Sequence, residues 1–179
     1  MQRFVVKRLY GDPILNRPKL IVFDLDFTLW DCGGTWCDCL SPPFRARSGK
    51  VSDRTGRHVR LYDEVHSILN HCDNRAIPCA VASRTEQPDW ARELLELLEI
   101  THRFAFAEIY PATKLKHFAA LREISRIDYQ KMLFFDDEMR NISEVSTLGV
   151  TCIHVADGLT GNIFQDACRR FSNDLRGPR

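Results

Sequence analysis

An α/β fold built on a mostly parallel, doubly wound sheet is what this chain predicts, and three observations lead there. Short apolar runs near residues 20–25, 76–82, 131–135 and 150–155 have the near-continuous hydrophobicity of strands buried on both faces. Between them lie segments whose apolar residues recur at helical spacing. The length, 179 residues, and a composition 44% hydrophobic and 27% charged suit one domain, 1–179, with a substantial core.

Taken in order, residues 1–18 read as an extra strand or a leader ended by Gly11-Asp12-Pro13. They are basic and free of acids before Asp12 but lack the longer apolar centre of a secretory signal. Leu20 to Phe23 and Leu25 form the first buried strand, interrupted at its C-terminal end by Asp24 and Asp26. A strand period of two puts both carboxylates on one side. Residues 31–60 carry turn chemistry at Gly33-Gly34, Pro42-Pro43, Ser48-Gly49 and Thr55-Gly56. They read as a small inserted flap with a hairpin over Arg54-Thr55-Gly56.

Beyond the flap, helix and strand alternate. Val65, Ile68, Leu69 and Cys72 make a helical stripe, and Ala76 to Ala82 a strand with Pro78 near its start. Pro88 opens a second helix, and Phe104 to Tyr110 reads as a strand. Lys114 to Ser125 suits a helix with Leu115, Phe118, Leu121 and Ile124 on or near one face. Lys131 to Phe135 is a strand ending in Asp136-Asp137-Glu138. A helix through Ile142, Val145 and Leu148 stops at Gly149, then Val150 to Val155 forms a strand. Ile163 through Leu175 makes the last helix, capped by Thr160.

A net charge of +1 argues for neither nucleic acid nor an acidic partner. No apolar run reaches the ~20 residues of a membrane span. Seven cysteines, several in buried runs, point to a reducing, cytoplasmic setting without a disulfide framework, with an organellar leader as the alternative. Cys32, Cys37 and Cys39 resemble a partial zinc site, poorly spaced and with only His58 nearby as an imidazole. Between residues 45 and 60, Arg45, Arg47, Lys50, Arg54, Arg57 and Arg60 face one acid, Asp53. Such a run keeps hairpin edges soluble, or steers an anionic substrate.

Three apolar strands end in distinct polar groups: Asp24 and Asp26, then Ser83-Arg84, then Asp136-Asp137. Parallel strands bring their carboxyl ends to one edge, where ligands bind, and Lys114 enters from the next helix start. Close carboxylates beside a dry core need a compensating cation, and this donor set suits Mg²⁺, which takes one or two carboxylates plus a phosphate. The set fits phosphoryl transfer. Asp24 is the candidate nucleophile, forming an aspartyl-phosphate, and Asp26 the general acid/base. Ser83 and Lys114 hold phosphate oxygens, and Arg84 adds a bidentate grip. Lys116, two residues along the helix, faces elsewhere.

These motifs, Asp24-Leu-Asp-Phe-Thr28, Ser83, Lys114 and Asp136-Asp137, resemble those of the haloacid dehalogenase-like superfamily in their usual order. The wording Phe23-Asp-Leu-Asp-Phe-Thr-Leu-Trp30, Ala82-Ser-Arg-Thr85, Glu108-Ile-Tyr-Pro111 and Phe134-Phe-Asp-Asp-Glu138 is similar to the magnesium-dependent phosphatase subfamily, over about residues 19–159. The resemblance implies a Rossmann-like domain and Mg²⁺ held by Asp24, the Asp26 backbone carbonyl and Asp136. Asp137 is then an acid beside the metal or Lys114.

Ser83 follows Asp24 by 59 residues and Lys114 follows Ser83 by 31, so neither interval holds a folded cap domain. The open site suits a phosphorylated small molecule or a phosphoprotein, and the subfamily points to phosphotyrosine-like or sugar-phosphate monoesters. Two alternatives stand beside this: a protein serine phosphatase of the RNA polymerase tail type, and a weakly catalytic domain that binds phosphate or a phosphoprotein.

Overall fold

Nine strands and five helices make up residues 17–174, the part that the computed structural model describes. The expected leader falls outside these residues but for its last two, as does Leu175 of the last helix. Along the chain, β1 (Leu20–Phe23) is followed by four short strands of the flap, β2 (Trp30–Asp31), β3 (Arg45–Arg47), β4 (Lys50–Ser52) and β5 (His58–Leu61). Then come β6 (Cys79–Ser83), β7 (Phe106–Ile109), β8 (Met132–Asp136) and β9 (Thr151–His154). Strands β7-β6-β1-β8-β9 form one parallel sheet in that order, with the strand before the two aspartates at its centre.

Every residue of β1, β6 and β8 is buried, which is why their sequences show no polar alternation. Ile21 and Phe23 face α1 (Val65–Asn74), α2 (Pro88–Leu97) and α5 (Gly161–Asp174), with Phe23 stacked on Phe135 at 5.5 Å between ring centroids. Leu20 and Val22 face α3 (Lys114–Ser125) and α4 (Met139–Ser146) through Phe118, Leu121 and Val145. Burying each such side chain contributes roughly 1.5–3 kcal/mol, so the two layers lock the sheet from both sides. Among the described residues no helix is long and apolar enough to cross a membrane.

Two expectations shift. Strand β6 begins at Cys79 rather than Ala76, because Ala76 adopts a left-handed conformation (φ 51°) that ends α1, and Ile77 N–H returns to the Cys72 carbonyl. The buried side of α3 is also rotated. Leu115 and Ile124 are 37% and 51% exposed, while Lys114 and His117 are buried. The helix turns its first residue toward the sheet edge, and a hydrophobic stripe cannot show that.

The flap is a second, antiparallel sheet in the order β2-β5-β4-β3. Its far loop is organised by Asp53, whose carboxylate accepts from Ser41 N, Thr55 N, Thr55 Oγ1 and Arg57 N. At its root the Leu25 carbonyl accepts from the amides of Thr28, Leu29 and Trp30, and Phe27 is left-handed (φ 54°). The loop after β9 is stitched onto this turn by Gly158 N to Phe27 O (3.1 Å) and Leu159 N to Thr28 O (3.0 Å). Gly158 is itself left-handed (φ 76°), and a Cβ there would collide with the Tyr62 ring.

Candidate active site

The carboxyl ends of β1, β6 and β8 meet at one edge around a cavity of about 250 Å³. Asp24, Asp26, Ser83, Arg84, Lys114 and Asp137 all line it, and Asp136 lies fully buried against Lys114. Asp24 continues β1, its N–H bonded to the Phe135 carbonyl at 2.9 Å, and Asp26 sits in the tight turn that follows.

Lys114 is the first residue of α3, placed there by Thr113, whose hydroxyl accepts from Lys116 N and caps the helix. Its ammonium lies 2.5 Å from Asp24 Oδ1 and 3.0 Å from Asp136 Oδ2, and donates to the Ala82 carbonyl. Lys116 is exposed and does not line the cavity. Burial disfavours the Lys114 charge, but Asp24 and Asp136 outweigh it and hold its pKa above the ordinary value. Burial pushes the Asp24 carboxyl well above its usual range; Lys114 offsets this only in part, and the Asp136 charge adds to the rise. Two carboxylates thus share one ammonium in a desolvated place, and a further cation is what the pair lacks. The two carboxylates are hard-oxygen donors of the kind a small divalent cation takes together with a substrate phosphate. Among the described residues no cluster of three or more metal-binding side chains exists, so Cys32, Cys37 and Cys39 do not form one with His58.

Two of those cysteines, Cys32 and Cys37, contact Asp26 instead. Its Oδ1 accepts from Trp30 Nε1 (2.7 Å), Cys37 N (3.0 Å) and the Cys32 thiol (3.5 Å). Among the described hydrogen bonds none reaches Oδ2. Burial raises the Asp26 pKa against these donors. One oxygen is therefore anchored and the other is available to carry a proton.

Ser83 ends β6, 3% exposed, with Oγ accepting from Thr85 N at 3.4 Å. Arg84 Nη1 bonds to Asn141 Oδ1 (3.2 Å) and lies 3.4 Å from Glu138 Oε2. Asp137 is pushed up to about 6 by burial, by Asp136 and by Glu138. Its carbonyl contacts His154 Nε2 at 2.7 Å.

Sequence reasoning gave no role to three residues. Asn141, buried on α4, donates to both oxygens of Asp136 (3.0 and 3.1 Å). An amide beside the Ile142–Val145 stripe was its signal. Trp36 stands 54% exposed on the cavity wall, edge-on to Phe27 at 5.9 Å. Asp38, in the 3-10 turn Cys37–Cys39, accepts from the Thr85 hydroxyl and from Glu86 N, tying the flap to the loop after Ser83. None of the six basic flap residues lines this cavity. A larger concavity, about 920 Å³, lies between the flap and the end of α2 and shares no residue with it; the chemistry favours the smaller one.

The family described as Acid Phosphatase matches residues 16–174. A human protein, magnesium-dependent phosphatase 1, is 44% identical over 163 residues, covering 90% of this chain and 91% of its own. A HAD-like hydrolase superfamily protein of Schizosaccharomyces pombe is 36% identical over 147 residues, covering 75% of this chain and 83% of its own. The crystal structure of a HAD-superfamily hydrolase from Ehrlichia chaffeensis superposes with a TM-score of 0.61 at 14% identity, covering 91% of this chain and 100% of that one.

Proposed function

The chain belongs to the haloacid dehalogenase-like magnesium-dependent phosphatases, and from that premise we propose that it cleaves phosphomonoesters by way of an aspartyl-phosphate on Asp24. The observation that supports this is the difference in surroundings between two nearby carboxylates. Asp24 bonds to the Lys114 ammonium, while Asp26 is anchored through one oxygen by Trp30, Cys37 and Cys32.

Asp24 attacks phosphorus in line with the leaving oxygen, and its carboxylate becomes an acyl phosphate. Asp26, its pKa raised, donates a proton to the departing oxygen and later takes one from the water that cleaves the acyl phosphate. Ser83 and Lys114 hold the phosphoryl oxygens, and Arg84, braced by Asn141 and Glu138, adds its remaining donors. The cofactor is Mg²⁺; Asp24, the Asp26 carbonyl and Asp136 would hold it. When bound it offsets the repulsion between the nucleophile and the phosphate.

The leaving group departs beside Asp26, where Trp36 presents an open indole. That supports a ring-bearing alcohol, phosphotyrosine-like rather than a sugar phosphate. Phosphate release from p-nitrophenyl phosphate with Mg²⁺, with EDTA, and from Asp24→Asn tests the reaction. We expect turnover only in the unsubstituted enzyme with Mg²⁺; full activity of Asp24→Asn would overturn the assignment. A parallel screen of phosphotyrosyl peptides and phosphosugars tests the leaving group.

A further inference from the structure

The basic run between residues 45 and 60 remains without a task, since it is absent from the cavity wall. Strand pairing decides where it points. Arg45 lies opposite Ser52, Arg47 opposite Lys50, Ser52 opposite His58, and Arg60 opposite Asp31. Directly paired residues share a face and alternate residues share a face. Arg45, Arg47, Lys50, His58 and Arg60 therefore all stand on the outer side of the flap sheet, and all five are exposed. Ala46, Val51, Val59, Leu61 and Trp30 take the inner side, where Val51 and Val59 are 3% and 2% exposed.

This face is more than a solvated edge. Arg47 and Lys50 are directly opposed, and like charges in that position are destabilising. Only Arg60 has an acidic partner among the described ion pairs, Asp31 at 3.4 Å. Strand β3 is also terminal in its sheet, so among the described strands nothing pairs with its outer edge. The face holds no aromatic side chain on which bases would stack and no apolar one to enter a bilayer. What it offers is main-chain pairing beside a row of cations.

We propose that the outer face and free edge of the flap sheet dock an extended acidic segment of a protein substrate, added as a strand beside β3; this rests on the phosphatase reading above. Main-chain hydrogen bonds supply affinity, and carboxylates on alternate residues meet Arg45 and Arg47, with Lys50 of the next strand behind them. Arg45 is seven residues from Asp38, which lines the cavity, so at most ~25 Å separates docking edge from chemistry. One extended segment of about eight residues spans that.

The test compares two phosphotyrosyl peptides, one with Glu and Asp on alternate positions about eight residues from the phosphorylated residue and one with Ser in their place. Substrates are given to the wild type and to Arg45→Glu/Arg47→Glu/Lys50→Glu. The wild type should turn over the acidic peptide with about tenfold higher kcat/KM, expressed in KM and eroded by salt. The triple variant should lose the preference while p-nitrophenyl phosphate turnover is unchanged. Should the triple variant misfold, Arg47→Ala with the same peptides gives a partial loss. Fluorescence anisotropy of the unphosphorylated acidic peptide reads docking without chemistry, so it fails separately from the phosphatase assignment. Equal kcat/KM for the two peptides, a preference surviving in the triple variant, or equal competition by polyuridylate or anionic vesicles would overturn the proposal.

Discussion

His117 shows how far the site's electrostatics reach. Its Nε2 lies 3.0 Å from the Tyr110 carbonyl, which can only accept, so Nε2 carries the hydrogen. Nδ1 is then a bare acceptor, buried without a partner among the described residues. Burial, with the Lys114 charge behind it, pushes His117 down to about 4. The unfolded chain takes up this proton near pH 6.5 and the folded one does not until about 4. Stability is therefore intact above the unfolded value and falls as pH drops between them, by on the order of 3 kcal/mol. Denaturant melts from pH 7 to 4 should show that slope, and His117→Gln should flatten it. Asp26 gives a second residue-level outcome. Asp26→Asn keeps an oxygen for Trp30 but cannot shuttle a proton. It should slow the first turnover of alkyl phosphates by about 10²–10⁴, while p-nitrophenyl phosphate, whose leaving group needs no acid, should give a rapid first turnover followed by slow release of phosphate.

At the scale of elements, the flap is two devices joined. Asp53 shapes its outer loop. Burial opposes the Asp53 charge, but hydrogen bonds from Thr55, Arg57 and Ser41 win and hold its pKa below the ordinary value. Its stabilising effect is present at neutral pH and lost as pH falls through that lowered value. Asp53→Ala should cost about 1–3 kcal/mol locally and speed amide exchange at Ser41, Thr55 and Arg57, while exchange in β1 is unaltered. The turn Cys37–Cys39 is the other device: Cys37 N holds Asp26 and Asp38 holds the Thr85 loop. In the first turnover, Asp38→Ala should slow alkyl phosphates more than p-nitrophenyl phosphate, because loosening this turn frees the proposed acid Asp26. A fall of equal size on both would mean simple loss of folded enzyme. The sequence displayed the flap's limits and its hairpin but not these bonds, since a carboxylate meeting a loop 47 residues away leaves no periodic trace.

For the whole molecule, the parallel sheet and its helices were legible because each strand is a dense apolar run and each helix a stripe. The central carboxylates were legible because charge at the end of a buried strand is anomalous. What stayed hidden was rotation about a helix axis, as with Lys114 and His117 on α3, and support from a neighbouring element, as with Asn141. A global measurement follows from the shared ammonium at Asp24 and Asp136. Mg²⁺ binding to the native state should raise Tm, by about 2.7 kcal/mol of stability at a hundredfold excess over Kd, and Asp136→Ala should abolish the rise. The stitch between the loop after β9 and the turn below Asp26 carries one more consequence. Gly158 lies outside the candidate cavity, yet any side chain there would displace Tyr62 and pull on Phe27, whose left-handed backbone sets the path from Asp24 to the flap. In a position-by-position substitution scan, tolerance should be as low at Gly158 as at Asp24, and a map of intolerant sites would outline this mechanical anchor as well as the chemistry.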